Sequence, residues 1–300
     1  MNSIEAYEKD IQMQLDFLKS FRQQKTLSAR RQKNIIFSGS GDSLASALLA
    51  ESMSDGVVRA MDPLDLYRNK KLVKSRHVYF ISISGNTIAN IKVAKMAKKA
   101  TAITSQTQSR LAKASDDVIS LVSCNSGITT AGSISFLESA LTCVSLIKDI
   151  RIPKENLFVK AALTAKKTSV GRRIFVLGNM YTFPLAMYCA AKFYEVLGYD
   201  AHYSRIEQFS HMELFSARKG DTVIIFDDKN PHVLHLGKNL KKIGINLIHP
   251  DIPSEKLSQI LYCIFLSQMI PLNEAKKKKR KDCYFIVAKK LRDVSNHMIY

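Results

Sequence analysis

No apolar run in the 300-residue sequence is long enough to cross a bilayer: the longest, Ile260–Leu266, falls short of the roughly 18–20 residues required. The opening segment carries Glu5, Glu8, Asp10 and Asp16 and has no apolar h-region, so a secretory signal is not expected. Cys124, Cys143, Cys189, Cys263 and Cys283 include no Cys-x-x-Cys pair and are odd in number. That disfavours a disulfide framework or zinc ribbon and points to a reduced, cytoplasmic setting. Glycine and proline are sparse, at 12 and 7, which excludes collagen-like or low-complexity material. There is no Gly-x-x-x-x-Gly-Lys-Ser/Thr and no complete Gly-x-Gly-x-x-Gly, which disfavours nucleoside triphosphates and dinucleotides. Acidic residues are also scarce: 26 against 45 basic ones leave a net charge of +19. The expected partners are therefore anions: phosphorylated small molecules, nucleic acid or an anionic surface.

What is present is apolar substance, 46% of the residues. A chain of this length suggests two domains, each with its own core. An amphipathic helix opens it, with Ile4, Tyr7, Ile11, Leu15 and Leu18 at spacings of three and four. Short apolar runs at Asn34–Phe37, Val78–Ile83, Ala100–Thr104 and Val118–Val122 then alternate with helical or loop segments. After a linker around Arg151–Asn156 the pattern restarts at Ile174–Leu177, Val223–Phe226 and Ile245–Ile248, with a helix over about 183–197. Alternation at this spacing predicts α/β domains, each a parallel sheet with helices on both faces. The expected division is an N-terminal helix over 1–30, an α/β domain over 31–150, a linker and helix over 151–172, a second domain over 173–270 and a basic tail over 271–300. The run Lys276–Lys281 reads as a solvated loop.

Ligands of such sheets bind beyond the carboxyl ends of the strands. Two strand ends there are loaded with small hydroxylated residues: Ser38-Gly39-Ser40-Gly41-Asp42-Ser43 and Ser82-Ile83-Ser84-Gly85-Asn86-Thr87, each before a helix. Capping needs one hydroxyl per turn, whereas Ser82, Ser84 and Thr87 occur together, so the spacing favours a phosphate cradle. The matching strand of the second half ends Asp227-Asp228, which would repel a phosphate.

In the second half, Lys192 and Glu195 share a helix face, and Glu195 stands in an otherwise apolar helix. It is a surface ion pair or, with partial burial, a general base. His211 follows 16 residues after Glu195 and by itself reads as structural. His232 and His235 read as a surface loop rather than a metal site.

The segments Gly-Ser-Gly-Asp-Ser, Ile-Ser-Ile-Ser-Gly-Asn-Thr and Ala-Ile-Thr-Ser, with the following Ser-Arg-Leu-Ala, resemble the sugar isomerase (SIS) domain family. That family includes the isomerase half of glucosamine-6-phosphate synthase and archaeal phosphoglucose/phosphomannose isomerases. The resemblance implies two tandem SIS domains, flavodoxin-like and doubly wound. It implies that Ser82, Ser84 and Thr87, with Gly85 and Asn86 in the same loop, hold a sugar phosphate. Ser43, beside Gly41, would contact the phosphate or a sugar hydroxyl. Lys192, Glu195 and His211 match the family's Lys-x-x-Glu and following histidine. Glu195 would then shuttle a proton between C1 and C2, and His211 would help to open the ring from a partner subunit. A tail lysine, Lys290 or Lys289 after an expected strand Tyr284–Val287, would join them. No metal or organic cofactor is implied.

Two departures narrow the expectation. The sequence begins Met-Asn-Ser, without the synthase's glutaminase domain, which argues against glutamine-dependent synthesis. The loop Ser123–Ser133 also lacks the arginine of the phosphoglucose/phosphomannose branch. The favoured expectation is a homodimeric phosphosugar aldose–ketose isomerase on a hexose or amino-hexose 6-phosphate, with shared active sites, no membrane and no nucleic acid. The alternatives are a glucosamine-6-phosphate deaminase or fructosamine-phosphate deglycase, and a non-catalytic phosphosugar sensor whose basic run touches nucleic acid.

Overall fold

The structure, a computed structural model, describes residues 1–122 and 125–300; Ser123 and Cys124 of the arginine-free loop lie outside the described residues. The chain divides into two compact units, each discontinuous in sequence. One comprises Asp16–Asn125, Gly132–Arg151 and Lys289–Tyr300, and the other Met1–Leu15, Ser126–Ala131 and Ile152–Ala288. We call them the first-sheet and second-sheet units. Among the described residues no helix is long and apolar enough to cross a membrane.

Helix α1 (Ser3–Ser20) buries Ile4, Tyr7 and Ile11 and, on the same face, Asp10 and Gln14. The first-sheet unit then runs α2 (Ala29–Gln32), β1 (Ile35–Ser38), α3 (Asp42–Met53), β2 (Arg59–Met61), α4 (Pro63–Arg68) and α5 (Lys70–Ser75). It continues with β3 (His77–Ile81), α6 (Ile88–Ala94), β4 (Lys99–Thr104), α7 (Arg110–Lys113), β5 (Asp117–Ser120) and α8 (Ile134–Ile147). All strand pairings are parallel, in the order β2-β1-β3-β4-β5. Strands covered on both faces read as nearly unbroken apolar runs, because side chains alternate between two cores. Ile35, Phe37, Tyr79, Ile81 and Ile103 meet α3 and α8 through Ala47, Ala50, Cys143, Leu146 and Ile147. Ile36, Val78, Phe80, Ala100 and Ala102 meet α4 to α7 through Leu66, Val73, Ile91, Val93 and Leu111.

The second-sheet unit follows with α9 (Leu157–Lys167), β6 (Arg173–Gly178), α10 (Phe183–Lys192), β7 (Asp200–Ser204), α11 (Ile206–His211), β8 (Thr222–Phe226), α12 (Pro231–Lys242), β9 (Asn246–Ile248), α13 (Lys256–Lys277) and α14 (Tyr284–Val287). The last helix, α15 (Lys289–Ile299), belongs to the first-sheet unit. The second sheet is also parallel, ordered β7-β6-β8-β9. Phe175, Leu177, Val223 and Ile225 meet Ile206 and Phe209 of α11 and Val233 and Leu240 of α12. Ile174, Val176, Ile224 and Phe226 alternate with them and turn to the other face, where α10 packs on β6 and β7 and α13 packs on α10 and α9.

Three local expectations are corrected. Tyr284–Val287 is a helical turn, not a strand: a four-residue apolar run carries no readable period. The basic run is not a loop throughout, since Lys276 and Lys277 close α13, and Lys276 pairs with Glu8 of α1 at 2.5 Å. Cations at a helix C-terminus complement its dipole. His232 and His235 lie on α12 rather than in a loop; Asn230 starts that helix by accepting the Val233 N–H at 3.0 Å. The loop reading overlooked the Asn-Pro start signal. Among the described residues no cluster of His, Cys, Asp and Glu is arranged to hold a metal.

Candidate functional site

In the first sheet the chain reverses direction between β1 and β3, since α3 after β1 covers one face and α6 after β3 the other. Such a switch point opens a crevice at the carboxyl ends of the two strands. The loop after β1 needs glycine for close approach: a Cβ on Gly39 would stand 2.6 Å from the Ser43 Cβ. Gly41 precedes α3 at φ +58°, and the Ser43 N–H donates to the Ser40 carbonyl at 3.2 Å. Ser38, wholly buried at the end of β1, has a hydroxyl with no partner among the described residues.

The loop after β3 is tighter. Gly85 turns it at φ +61°, with a Cβ position only 2.0 Å from the Ser109 Oγ, so no other residue fits. The Ser82 and Thr87 hydroxyls share a hydrogen bond at 3.3 Å, and the Ser84 Oγ accepts the Asn86 N–H at 3.3 Å. Thr87 is the N-cap of α6 yet makes no side-chain cap bond, so its hydroxyl stays within the loop. Thr104 and Ser105 donate to the Ile83 carbonyl at 3.1 and 2.9 Å, which fixes the loop from the side of β4. The result is a small, rigid arc of hydroxyls and amides that suits a tetrahedral anion.

Beyond β5 in the same unit stands a carboxyl the sequence reading passed over. Glu138 of α8 is 4% exposed; one oxygen accepts the Val122 N–H and the other has no partner among the described residues. Burial pushes its pKa up to about 7, against the smaller opposing effect of the Val122 bond. The signal was present, a single carboxylate in the otherwise apolar helix Ile134–Ile147.

In the second-sheet unit, α10 passes into a single π-helical turn, Phe193–Leu197, which ends at Gly198 with φ +66°. Such turns widen a helix and recur at functional sites. Here it brings Lys192 and Glu195 into an ion pair in which the lysine side chain is fully buried and the glutamate 35% exposed. The ammonium also lies 4.8 Å above the Tyr188 ring. The Tyr188 hydroxyl accepts from Gln268 Nε2 at 2.9 Å, and Gln268 accepts from Gln14 Nε2 at 2.6 Å, so buried amides brace the floor.

The segment after α13 walls this pair. A Cβ on Gly198 would meet the Tyr284 ring at 2.6 Å. Cys283 lies within electrostatic reach of Lys192 and Glu195 and accepts the Ala131 N–H; burial chiefly raises its thiol pKa. The loop Ser126–Ala131 is clasped in turn by Asp10, which accepts the Ser126 N–H at 2.5 Å and the Thr130 hydroxyl at 3.0 Å. Asp10 was also overlooked, although a carboxylate on the apolar face of α1, between Tyr7 and Ile11, is a readable anomaly.

Within the same unit, His211 stands apart from that pair. His211 closes α11, on the other face of the second sheet from α10; it is 71% exposed, with Nε2 4.0 Å from Glu207. Lys289 and Lys290 open α15 and are exposed. At the carboxyl end of β8, Asp227 is half-buried and accepts from Asn179 Nδ2 at 2.8 Å, and burial raises its pKa.

No protein-family model and no curated protein matches the sequence. Solved structures do. A glucosamine-6-phosphate deaminase from Thermotoga maritima superposes at TM-score 0.73 and 17% identity, over 94% of this chain and 96% of that one. A tagatose-6-phosphate ketose/aldose isomerase from Escherichia coli does so at 0.66 and 16%, over 93% and 91%. The C-terminal domain of glucosamine-fructose-6-phosphate aminotransferase from Francisella tularensis gives 0.63 and 15%, over 90% and 93%. Likeness at these identities speaks to fold alone: the chain has the SIS-like architecture of parallel sheets flanked by helices that these structures share.

Proposed function

We propose that the chain is a phosphosugar-processing enzyme, and specifically an aldose–ketose isomerase of a hexose or amino-hexose 6-phosphate. The observation that carries this reading is the Lys192–Glu195 pair on a π-helical turn, a carboxylate held by a fully buried ammonium and still open to solvent. Ser82, Ser84, Gly85, Asn86 and Thr87 hold the phosphoryl group through hydroxyls and backbone amides, with Gly41 and Ser43 at the neighbouring loop. Glu195 removes the proton at C2 of the open-chain sugar, and an enediol forms as the C1 carbonyl oxygen takes up a proton from water, which is returned when the C2 hydroxyl releases its own proton to water in the next step. The same carboxyl then delivers its proton to C1 as the C2 carbonyl forms, so the step is redox-neutral within the substrate and balanced in protons. Lys192 keeps the Glu195 carboxylate oriented. His211 opens the ring from the partner of a homodimer, and Lys290 or Lys289 supplies a further cation. The scheme calls for no metal or organic cofactor, and the buried thiols Cys143, Cys189, Cys263 and Cys283 suit the reducing cytoplasm.

The test is Glu195→Gln assayed with glucose, mannose, fructose and glucosamine 6-phosphates. Turnover should fall at least a thousandfold while phosphosugar binding stays within a few-fold. Equal turnover in both proteins would refute the reading. Ammonia release from glucosamine 6-phosphate would move it to deamination, which shares the proton transfer; the described part of the arginine-free loop favours neither outcome over the other.

A further inference from the structure

At the amino ends of the first-sheet strands, away from the hydroxyl loops, a cavity of about 590 Å³ opens. It is lined by His77 and Tyr79 of β3, Lys99 of β4, Asp117 of β5 and Arg30 and Arg31 of α2. Its volume falls in the range of about 300–1,000 Å³ typical of small-molecule sites. We propose that this cavity is a second anion site, which takes a small phosphorylated metabolite and is distinct from the Ser82–Thr87 cradle.

Tyr79 is the first ground. It is 5% exposed, and its ring is fixed between Phe37 at 5.2 Å and His77 at 4.4 Å. Its hydroxyl makes no hydrogen bond to any described residue and is not among the wholly buried unpaired polar atoms, so it opens into the cavity. A rigidly held ring thus presents a free hydroxyl donor to whatever enters the cavity.

The sign of that occupant follows from the charges. Arg30 and Arg31 are exposed, and their side chains make no hydrogen bond or ion pair among the described residues. The Arg31 charge nonetheless reaches inward: burial raises the Tyr79 pKa and Arg31 opposes that rise, and at His77 Arg31 adds to the lowering set mainly by burial and Lys99. Lys99 is paired with Asp117 at 2.7 Å, so the two arginines leave the wall net positive. His77 is bonded through Nε2 to the Thr101 hydroxyl at 2.8 Å. Burial, helped by Lys99, lowers its pKa to about 4, so it stays neutral at pH 7 and adds a polar group but no charge.

The site's place indicates its role. His77 opens β3 and Ser82 follows its last residue, which separates the two ends by about 16 Å of extended chain. A single phosphoryl group cannot serve both. Open parallel sheets carry out their chemistry at the carboxyl ends, so an occupant of the amino end acts as an effector and not as the substrate.

The experiment is calorimetric titration of the full chain with inorganic pyrophosphate, repeated on two double variants. Tyr79→Phe with Arg31→Ala alters the cavity without removing packed volume; Ser82→Ala with Thr87→Val alters the cradle. Circular dichroism checks that each is folded. In the cradle variant one binding event should persist. In the cavity variant that event should weaken at least tenfold. The inference is overturned if the cradle variant binds nothing, or if the cavity variant binds as the unaltered chain does. If the cavity variant alone abolishes all binding, the cavity stands and the phosphate role of Ser82–Thr87 falls instead.

Discussion

Asp282 caps the helix that opens the chain from 279 residues away: its carboxylate accepts the Ser3 hydroxyl at 2.8 Å and the Ser3 N–H at 3.2 Å. The Ser3 Oγ then accepts the Cys283 N–H at 2.9 Å, so one serine orders both the start of α1 and the segment beside Lys192 and Glu195. The bond from the Ser3 hydroxyl, then that from its N–H, holds the Asp282 pKa below the usual carboxylate value. A folded pKa depressed in this way stabilises above the unfolded value of about 3.9 and ceases to do so as the pH falls through the lower folded one. Asp282→Ala should therefore lower the urea midpoint at pH 7, with a gap from the parent that narrows by pH 2.5. A constant gap would show that the carboxylate charge is immaterial.

Glu138 should show the opposite dependence. Its folded pKa of about 7 lies above the unfolded value, so it costs nothing well below pH 4.3, costs increasingly more up to about pH 7, and costs its full amount beyond. Glu138→Gln keeps an oxygen for the Val122 N–H and removes the charge. It should raise the urea midpoint at pH 8 and leave it nearly unchanged at pH 4. A gain of the same size at both pH values would mean that ionisation is not the cause.

Gly85→Ala combines a left-handed backbone with a methyl placed 2.0 Å from the Ser109 Oγ and 2.4 Å from its Cβ. The expected loss is about 2–4 kcal/mol, from the dihedral strain plus the overlap. Adding Ser109→Gly should recover the overlap part and leave about 1 kcal/mol. Urea titration of the three proteins checks this; full stability in the single variant would contradict the geometry of the loop.

Removing either member of the Lys192–Glu195 pair should have unequal effects. The lysine side chain is fully buried, whereas the glutamate can still reach water. Glu195→Ala takes the paired carboxylate from a buried charge and should cost about 3 kcal/mol, while Lys192→Met leaves a carboxylate that water can solvate and should cost about 1 kcal/mol. Denaturant midpoints decide it, and the reverse order would mean that the ammonium does not depend on Glu195.

The sequence made the interior of each sheet and one of its edges, β5 or β9, legible and left the other edge hidden. β1, β3, β6 and β8 are buried throughout or nearly so, and their apolar runs stand out. β2 (Arg-Ala-Met) and β7 (Asp-Ala-His-Tyr-Ser) went unread because they are edge strands, short and half polar, and the sheet order places each beside the first strand of its sheet. The hydroxyl loops and the Lys192–Glu195 spacing were readable because local chemistry marks them. Asp10 and Glu138 matter through contacts 116 and 16 residues away, which periodicity alone does not reveal.

The residues Met1–Leu15 share a unit with Ile152–Ala288 and not with the stretch that directly follows them. On the ribosome, at about 5–20 residues per second, α1 must therefore wait on the order of tens of seconds for Asp282 to emerge. Meanwhile all strands of the first sheet, β1 to β5, are already synthesised. Through that interval the apolar face of α1, with Ile4, Tyr7 and Ile11, lacks the complete second-sheet core that buries it in the folded chain. Helix α1, made before either sheet, is among the last elements to settle.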